Sequence, residues 1–164
     1  MAPKKSYWLM KSEPDVFSYA DLVASKNSTT FWDGVRNYQA RNTMRDDMKV
    51  GDLVLYYHSN TKPPGITGVA EVVKEGYPDP TQFDPNDSHF DSKAERENPR
   101  WCGVELRARA EFPKYVPLDD LKVNAKLAEM AVVQRGQRLS VQPVGAAHFR
   151  EVLRMGGLKA ADLG

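Results

Sequence analysis

The chain has 164 residues, 41% of them apolar and 27% charged, with one cysteine and a formal net charge of +1 at pH 7. That length sets a single domain, residues 1–164, as the default, and supports a core without covalent staples. A lone Cys102 excludes an intrachain disulfide and fits a reducing compartment, and the near-zero charge excludes a uniformly basic polyanion binder.

The basic start (Pro3-Lys4-Lys5) is followed only by the short apolar run Tyr7–Met10, too short for a signal-peptide core, and no stretch is long and apolar enough to span a bilayer. Residues 1–5 and 157–164 are expected to be flexible ends. Tyr7–Lys11 reads as a first strand that ends at Ser12-Glu13-Pro14. Ser18 is placed to cap a short helix through Lys26, and Asn27–Thr30 reads as a loop. Gln39–Met48 is rich in helix formers, with Met44 and Met48 on one face. Leu53–His58 is the strongest strand, apolar on both faces and therefore central. Ile66–Val73 is the next strand, with Gly68 marking a bulge or a close backbone approach. Gly76–Pro99 carries four prolines and reads as a long functional or mobile loop. Trp101–Phe112 is a strand with Arg107, Arg109 and Glu111 on its wet face. Leu118–Val123, introduced by Pro117, and Lys126–Val133 read as short helices. Leu139–Val144 is a short strand, and Ala146–Met155 an amphipathic helix with Phe149, Val152 and Leu153 inward, stopped at Gly156-Gly157. This order predicts an α+β domain built on a mixed, partly closed β-barrel with surrounding helices.

Charge is unevenly distributed. Residues 71–97 hold eight acids against Lys74, Lys93 and Arg96, whereas residues 135–159 hold five bases against Glu151, and residues 36–49 four bases against Asp46 and Asp47. Such segments can present a one-sided positive face or be scattered, solvated charges. There is no G-x-x-x-x-G-K or G-x-G-x-x-G phosphate cradle, no H-E-x-x-H and no C-x-x-C. The run Asp84-x-Asn86-x-Ser88 only partly mimics a calcium loop, because His89 stands where that loop needs glycine. Lys11, Glu13 and Asp15 crowd one strand end, unlike the separated carboxylates of a metal nuclease.

Recognition chemistry concentrates in Phe31–Asn42, "FWDGVRNYQARN". Trp32 and Tyr38 are flat aromatics; Asn37, Gln39 and Asn42 offer paired donors and acceptors suited to a nucleobase edge; Arg36 and Arg41 are multi-donor cations. Taken one at a time, Trp32 is a core aromatic and the arginines a solvated helix face. Taken with the polar-tipped strand ends Lys11-Ser12, Tyr57-His58-Ser59 and Arg138–Pro143, they make an aromatic pocket with a basic rim if those segments converge.

"YWLMKSEP", "WDGVRNYQARN", "GDLVLYYHS", "GVAEVV", "NPRW" and "LSVQPV" occur in this order from Tyr7 to Leu153 and closely resemble the EVE domain family. The resemblance implies a PUA-like fold related to the YTH and ASCH domains, no established catalysis, no cofactor and no metal, and a reader of modified bases with modified cytosine in DNA as the ligand. It implies pocket residues Lys11, Ser12 and Glu13; Trp32, Val35, Arg36, Asn37 and Tyr38; Tyr57, His58 and Ser59; and Ser140, Val141 and Pro143. A flipped base would then stack on Trp32 and be read by Asn37, Ser12 and backbone amides, while Lys11, Arg36, Arg41 and Arg138 hold phosphates. The expected partner is DNA or RNA carrying a modified base, bound by a monomer in the cytoplasm, at a bacterial nucleoid or in a eukaryotic nucleus. The competing expectations are a small-molecule or protein-interaction module, and an enzyme on a nucleotide with Glu13 or His58 as general acid or base.

Overall fold

Leu53–His58 alternates between two cores. Leu53, Leu55 and Tyr57 enter one apolar cluster, and Val54 and Tyr56 enter the other. A strand buried on both faces belongs inside a sheet, and this one lies in the interior of a six-stranded sheet. The computed structural model describes residues 5–134, 139–159 and 163. Its strands are β1 (Tyr7–Ser12), β2 (Thr29–Phe31), β3 (Leu53–His58), β4 (Gly65–Pro78), β5 (Cys102–Pro117) and β6 (Val141–Val144), in the order β2-β5-β4-β3-β1-β6. The β1/β3 pair is parallel, with Ser12 opposite His58, and the other pairs are antiparallel, so the sheet is mixed.

The helices are α1 (Pro14–Phe17), α2 (Tyr19–Ala24), α3 (Tyr38–Asn42), α4 (Leu118–Val123) and α5 (Ala146–Gly156). Ser18 caps α2 in a reciprocal box with Asp21, and Asn37 caps α3 by accepting from the Ala40 N–H. Phe149, Val152 and Leu153 of α5 pack into the cluster on one face of the sheet. Tyr19 and Leu22 of α2, Ala40 of α3 and Met44 and Met48 just beyond it fill the other.

A flat six-stranded sheet would hold its edge strands roughly 24 Å apart, at about 4.8 Å per neighbour. Here Thr30 and Phe31 of edge strand β2 line the same cleft as Ser140, the residue preceding edge strand β6. The sheet is therefore strongly curled, and among the described residues no ladder joins its two edges. The architecture is the expected α+β one, a mixed barrel left open at one seam. Gly68 sits at a register shift of β4, where an added Cβ would fall 2.9 Å from the Ala110 carbonyl oxygen and from the Tyr19 ring.

Several local expectations change. The segment expected as a loop over residues 27–30 ends in strand β2, because the long β5 supplies an edge on which Thr29–Phe31 can pair. β4 and β5 both run several residues past their expected ends along each other. The helix expected over 39–48 is α3 followed by a wider π turn, Thr43–Asp47; the Thr43 hydroxyl donates back to the Gln39 carbonyl where the winding changes. Residues 126–133 form not one helix but parts of two tight 3₁₀ turns that bury Leu127 and Val132.

Candidate functional site

A cleft of about 610 Å³ opens between the tip of β1, α1, the Thr30–Asn37 segment, His89 and Ser140. Phe17, Phe31 and Trp32 give it three aromatic walls. Trp32 is the deepest of these; it is 8% exposed, edge-on to Tyr56 at 5.5 Å between ring centres, and pinned by its backbone N–H to the Val104 carbonyl. The other two tryptophans donate their indole N–H groups, Trp8 to Asp52 and Trp101 to Asp91. The Trp32 indole N–H has no such partner among the described residues. The Ser12 hydroxyl donates to the Phe17 carbonyl at 2.7 Å, so toward the cleft its oxygen can only accept. Burial lowers the Lys11 pKa at the rim.

The far wall is set by a buried carboxylate. Asp79 accepts from the Gly34 N–H, from the Thr81 N–H and hydroxyl, and from Arg36 Nη1 at 3.0 Å. Burial pushes its pKa up, but the hydrogen bonds from Thr81, Gly34 and Arg36 together outweigh it, and the net shift is downward. Gly34 needs its φ of 77°, and the His89 ring packs so closely over it that an added Cβ would lie 2.6 Å from Nε2. The Asp87 carboxylate accepts from the His89 backbone N–H and contacts ring Nδ1 at 3.1 Å. The stretch expected as a long proline-rich loop is thus anchored where it meets the cleft. Gln82 spends both its amide protons and its carbonyl on the Asp79 and Trp101 carbonyls and the Arg100 and Trp101 N–H groups.

Of the residues expected at a pocket, Lys11, Ser12, Glu13, Trp32, Val35, Arg36, Asn37 and Ser140 border this cleft. The rest do not. Tyr57 points into the core on the opposite face of the sheet, with the Lys11 ammonium 5.7 Å from its ring centre. His58 accepts the Tyr19 N–H on Nε2 and so fastens the start of α2, and burial lowers its pKa. Ser59 donates its backbone N–H to Ser12, and Val141 is core. Pro143 lies beside Tyr7 and Val144 in a separate groove, and Tyr38 stacks on Trp101 at 4.9 Å outside the cleft.

The expected phosphate contacts change as well. Arg36 commits all five guanidinium protons, to Asp79, Thr81 and the Val35 and His89 carbonyls, leaving none for a phosphate. Arg41 lies over the Tyr38 ring and bonds Asn42 and the Arg100 carbonyl, outside the cleft. Arg138 falls outside the described residues. The sequence reading missed Val16, Phe17, Thr30, Phe31, Asp33 and His89. Phe31 and Asp33 were inside the motif already singled out, whereas nothing local marks His89, whose carbonyl meets Arg36 across 53 positions.

A mixed, curled sheet with helices on both faces and a cleft at its open seam defines a PUA-like domain. Residues 6–155 match the EVE domain family, and the chain belongs to it. Thymocyte nuclear protein 1 of Gallus gallus is 43% identical over 91% of this chain and 68% of its own length. The crystal structure of the human THYN1 protein in complex with DNA containing 5-methylcytosine is 43% identical and superposes with a TM-score of 0.86, covering 93% of this chain and 98% of that one. At 14% identity, the YTH domain of Zygosaccharomyces rouxii MRB1, solved with N6-methyladenosine RNA, shares the fold with a TM-score of 0.52 over 94% of this chain and 88% of that one.

Proposed function

We propose that this chain is a non-catalytic nucleic-acid-binding module that takes one modified base, foremost a modified cytosine in DNA, out of its strand and into the Trp32 cleft. The observation that carries the reading is the cleft itself. Three aromatic walls stand beside polar groups with unspent capacity: the Trp32 indole N–H, the Asn37 side-chain amide and the Ser12 oxygen. Stacking contributes about 1–3 kcal/mol per base without regard to sequence, and the polar groups supply the edge contacts that stacking lacks. The human relative's complex with 5-methylcytosine DNA supports the same ligand class for this chain. Lys11 borders the cleft through its strand, and its ammonium, 5.7 Å from the Tyr57 ring on the opposite face, would have to swing off that ring to meet a flanking phosphate. Such a module works at the nucleus of a eukaryote or the nucleoid of a bacterium.

Catalysis is the weaker reading. His58 spends Nε2 on the Tyr19 N–H, and among the described residues the Glu13 carboxylate meets only the Asn60 amide, at 3.4 Å, and no cluster of metal-ligating side chains occurs. Titration of oligonucleotides differing at one central base, cytosine or 5-methylcytosine, at fixed salt tests the proposal. A buried methyl group is worth about 0.8 kcal/mol, or about fourfold in affinity, so tighter binding of the methylated strand by about that factor is expected. Equal affinity for the two would remove the claim of modification reading.

A further inference from the structure

A cleft that measures only ring shape and a methyl group cannot separate 5-methylcytosine from thymine. The two bases carry the same methyl at the same ring position and differ on their pairing edge: at position 4 cytosine has an amine that donates and thymine a carbonyl that accepts, and at N3 cytosine accepts where thymine donates. A reader of methylated cytosine that contacts neither position would be titrated away by the thymine of ordinary DNA. A group that discriminates at position 4 must accept a hydrogen bond, must stand in the cleft, and must not already be satisfied by the protein.

Asp33 meets these conditions. It lines the cleft between Trp32 and Gly34. Its carboxylate makes no hydrogen bond among the described residues, in contrast to Asp79, which accepts four, and Asp91, which accepts from Trp101, Arg100 and Lys93. The neighbouring cation, Arg36, is spent on Asp79, so Asp33 is not paired with it. Its backbone is held on the far side by the Gly34 N–H bond to Asp79 and by the His89 ring packed on Gly34. Glu13, the other acid at the cleft, already contacts Asn60.

We infer that Asp33 is the specificity-determining residue of this cleft, accepting the exocyclic amine of an amine-bearing pyrimidine and rejecting its keto counterpart. The inference rests on the base-reading function proposed above and names the ligand class of the same site. A carboxylate facing an amine gains a charge-assisted hydrogen bond. Facing the thymine carbonyl, it sets two acceptors against each other and leaves both without a partner on desolvation. The same negative charge weakens attachment to a polyanion, so the protein gives up general affinity for selectivity. Trp32 Nε1 and Asn37 Nδ2 are the donors left for the acceptor atoms of the cytosine edge.

The experiment titrates wild-type protein, Asp33→Asn and Ser12→Ala against four oligonucleotides identical except for one central cytosine, 5-methylcytosine, thymine or uracil, at one salt concentration. Thermal melting of each variant checks folding, and Asp33→Ala serves if Asp33→Asn melts early. The wild type is expected to favour 5-methylcytosine over thymine by about tenfold or more, the size of one good edge contact. Asp33→Asn, whose amide can donate to a carbonyl, is expected to bring that ratio within about twofold, chiefly by strengthening thymine binding. A wild type with no preference between cytosine and 5-methylcytosine would sink the base-reading proposal itself. A wild type that prefers the methylated base, with an Asp33→Asn variant that keeps its full ratio against thymine, would overturn only the assignment of Asp33. A ratio lost in Ser12→Ala but kept in Asp33→Asn would do the same, giving the amine to the serine oxygen.

Discussion

The motif Phe31–Asn42 divides into two halves with different fates. Residues 31–37 wrap the cleft, held by Asp79 and His89; residues 38–42 form α3 and turn away, with Tyr38 stacked on Trp101 and Arg41 and Arg100 set against its ring. Both halves hold an aromatic, an arginine and an asparagine. What separates them is the support behind each. The first rests on a buried acid and a left-handed glycine, the second on an asparagine cap and stacking at the surface. Density of recognition chemistry in a sequence marks a neighbourhood, and the backbone's turn selects which part of it becomes a wall.

The contrast breaks most sharply at Asp79. Asp79→Ala strands Arg36 and frees Gly34, so urea unfolding is expected to show a loss of about 3–5 kcal/mol, the usual size for an orphaned buried ion pair. Arg41→Ala in the other half should cost under about 1 kcal/mol. Equal losses would mean that both halves stand on the same support. Asp79 also sets a pH window. Its folded-state pKa lies below its unfolded value, so its contribution is complete above about pH 4 and disappears as pH falls through the folded value. Melting temperatures of the wild type and Asp79→Asn should therefore converge on acidification below pH 4 and stay apart at pH 7.

At the level of binding, Trp32→Ala should lower affinity for the methylated oligonucleotide by about fivefold or more, from about 1–3 kcal/mol of lost stacking. Tyr38→Ala, outside the cleft, should change it less than about twofold. A Tyr38 effect as large as that of Trp32 would move the base to the outer platform. The smallest expected effect is that of Lys11→Gln, a uniform weakening across all sequences with the slope of log K against log salt reduced by about one.

The legible and illegible parts of the molecule follow from range. Leu53–His58 and Leu118–Val123 are read correctly to the residue, because both-face burial of β3 and proline entry into α4 are written in consecutive side chains. Period-2 alternation also contained the correction at Tyr57. Its neighbour Tyr56 belongs to the cleft-side core, so Tyr57 had to face the other way. β2 was hidden because three residues become a strand only when a partner's edge is on offer.

Local physics in the sequence determined the α+β class, the central strand and most helices, since patterning and turn chemistry act between near neighbours. The family motifs sharpened this to a PUA-like domain. Only the tertiary structure decided that Arg36 is a strut instead of a phosphate clamp, that His58 ties down a helix, and that His89 and Asp33 stand at the wall. Those assignments depend on which donors and acceptors remain unspent once distant segments have paired, and that balance is struck only when the sheet curls its two edges around one cleft.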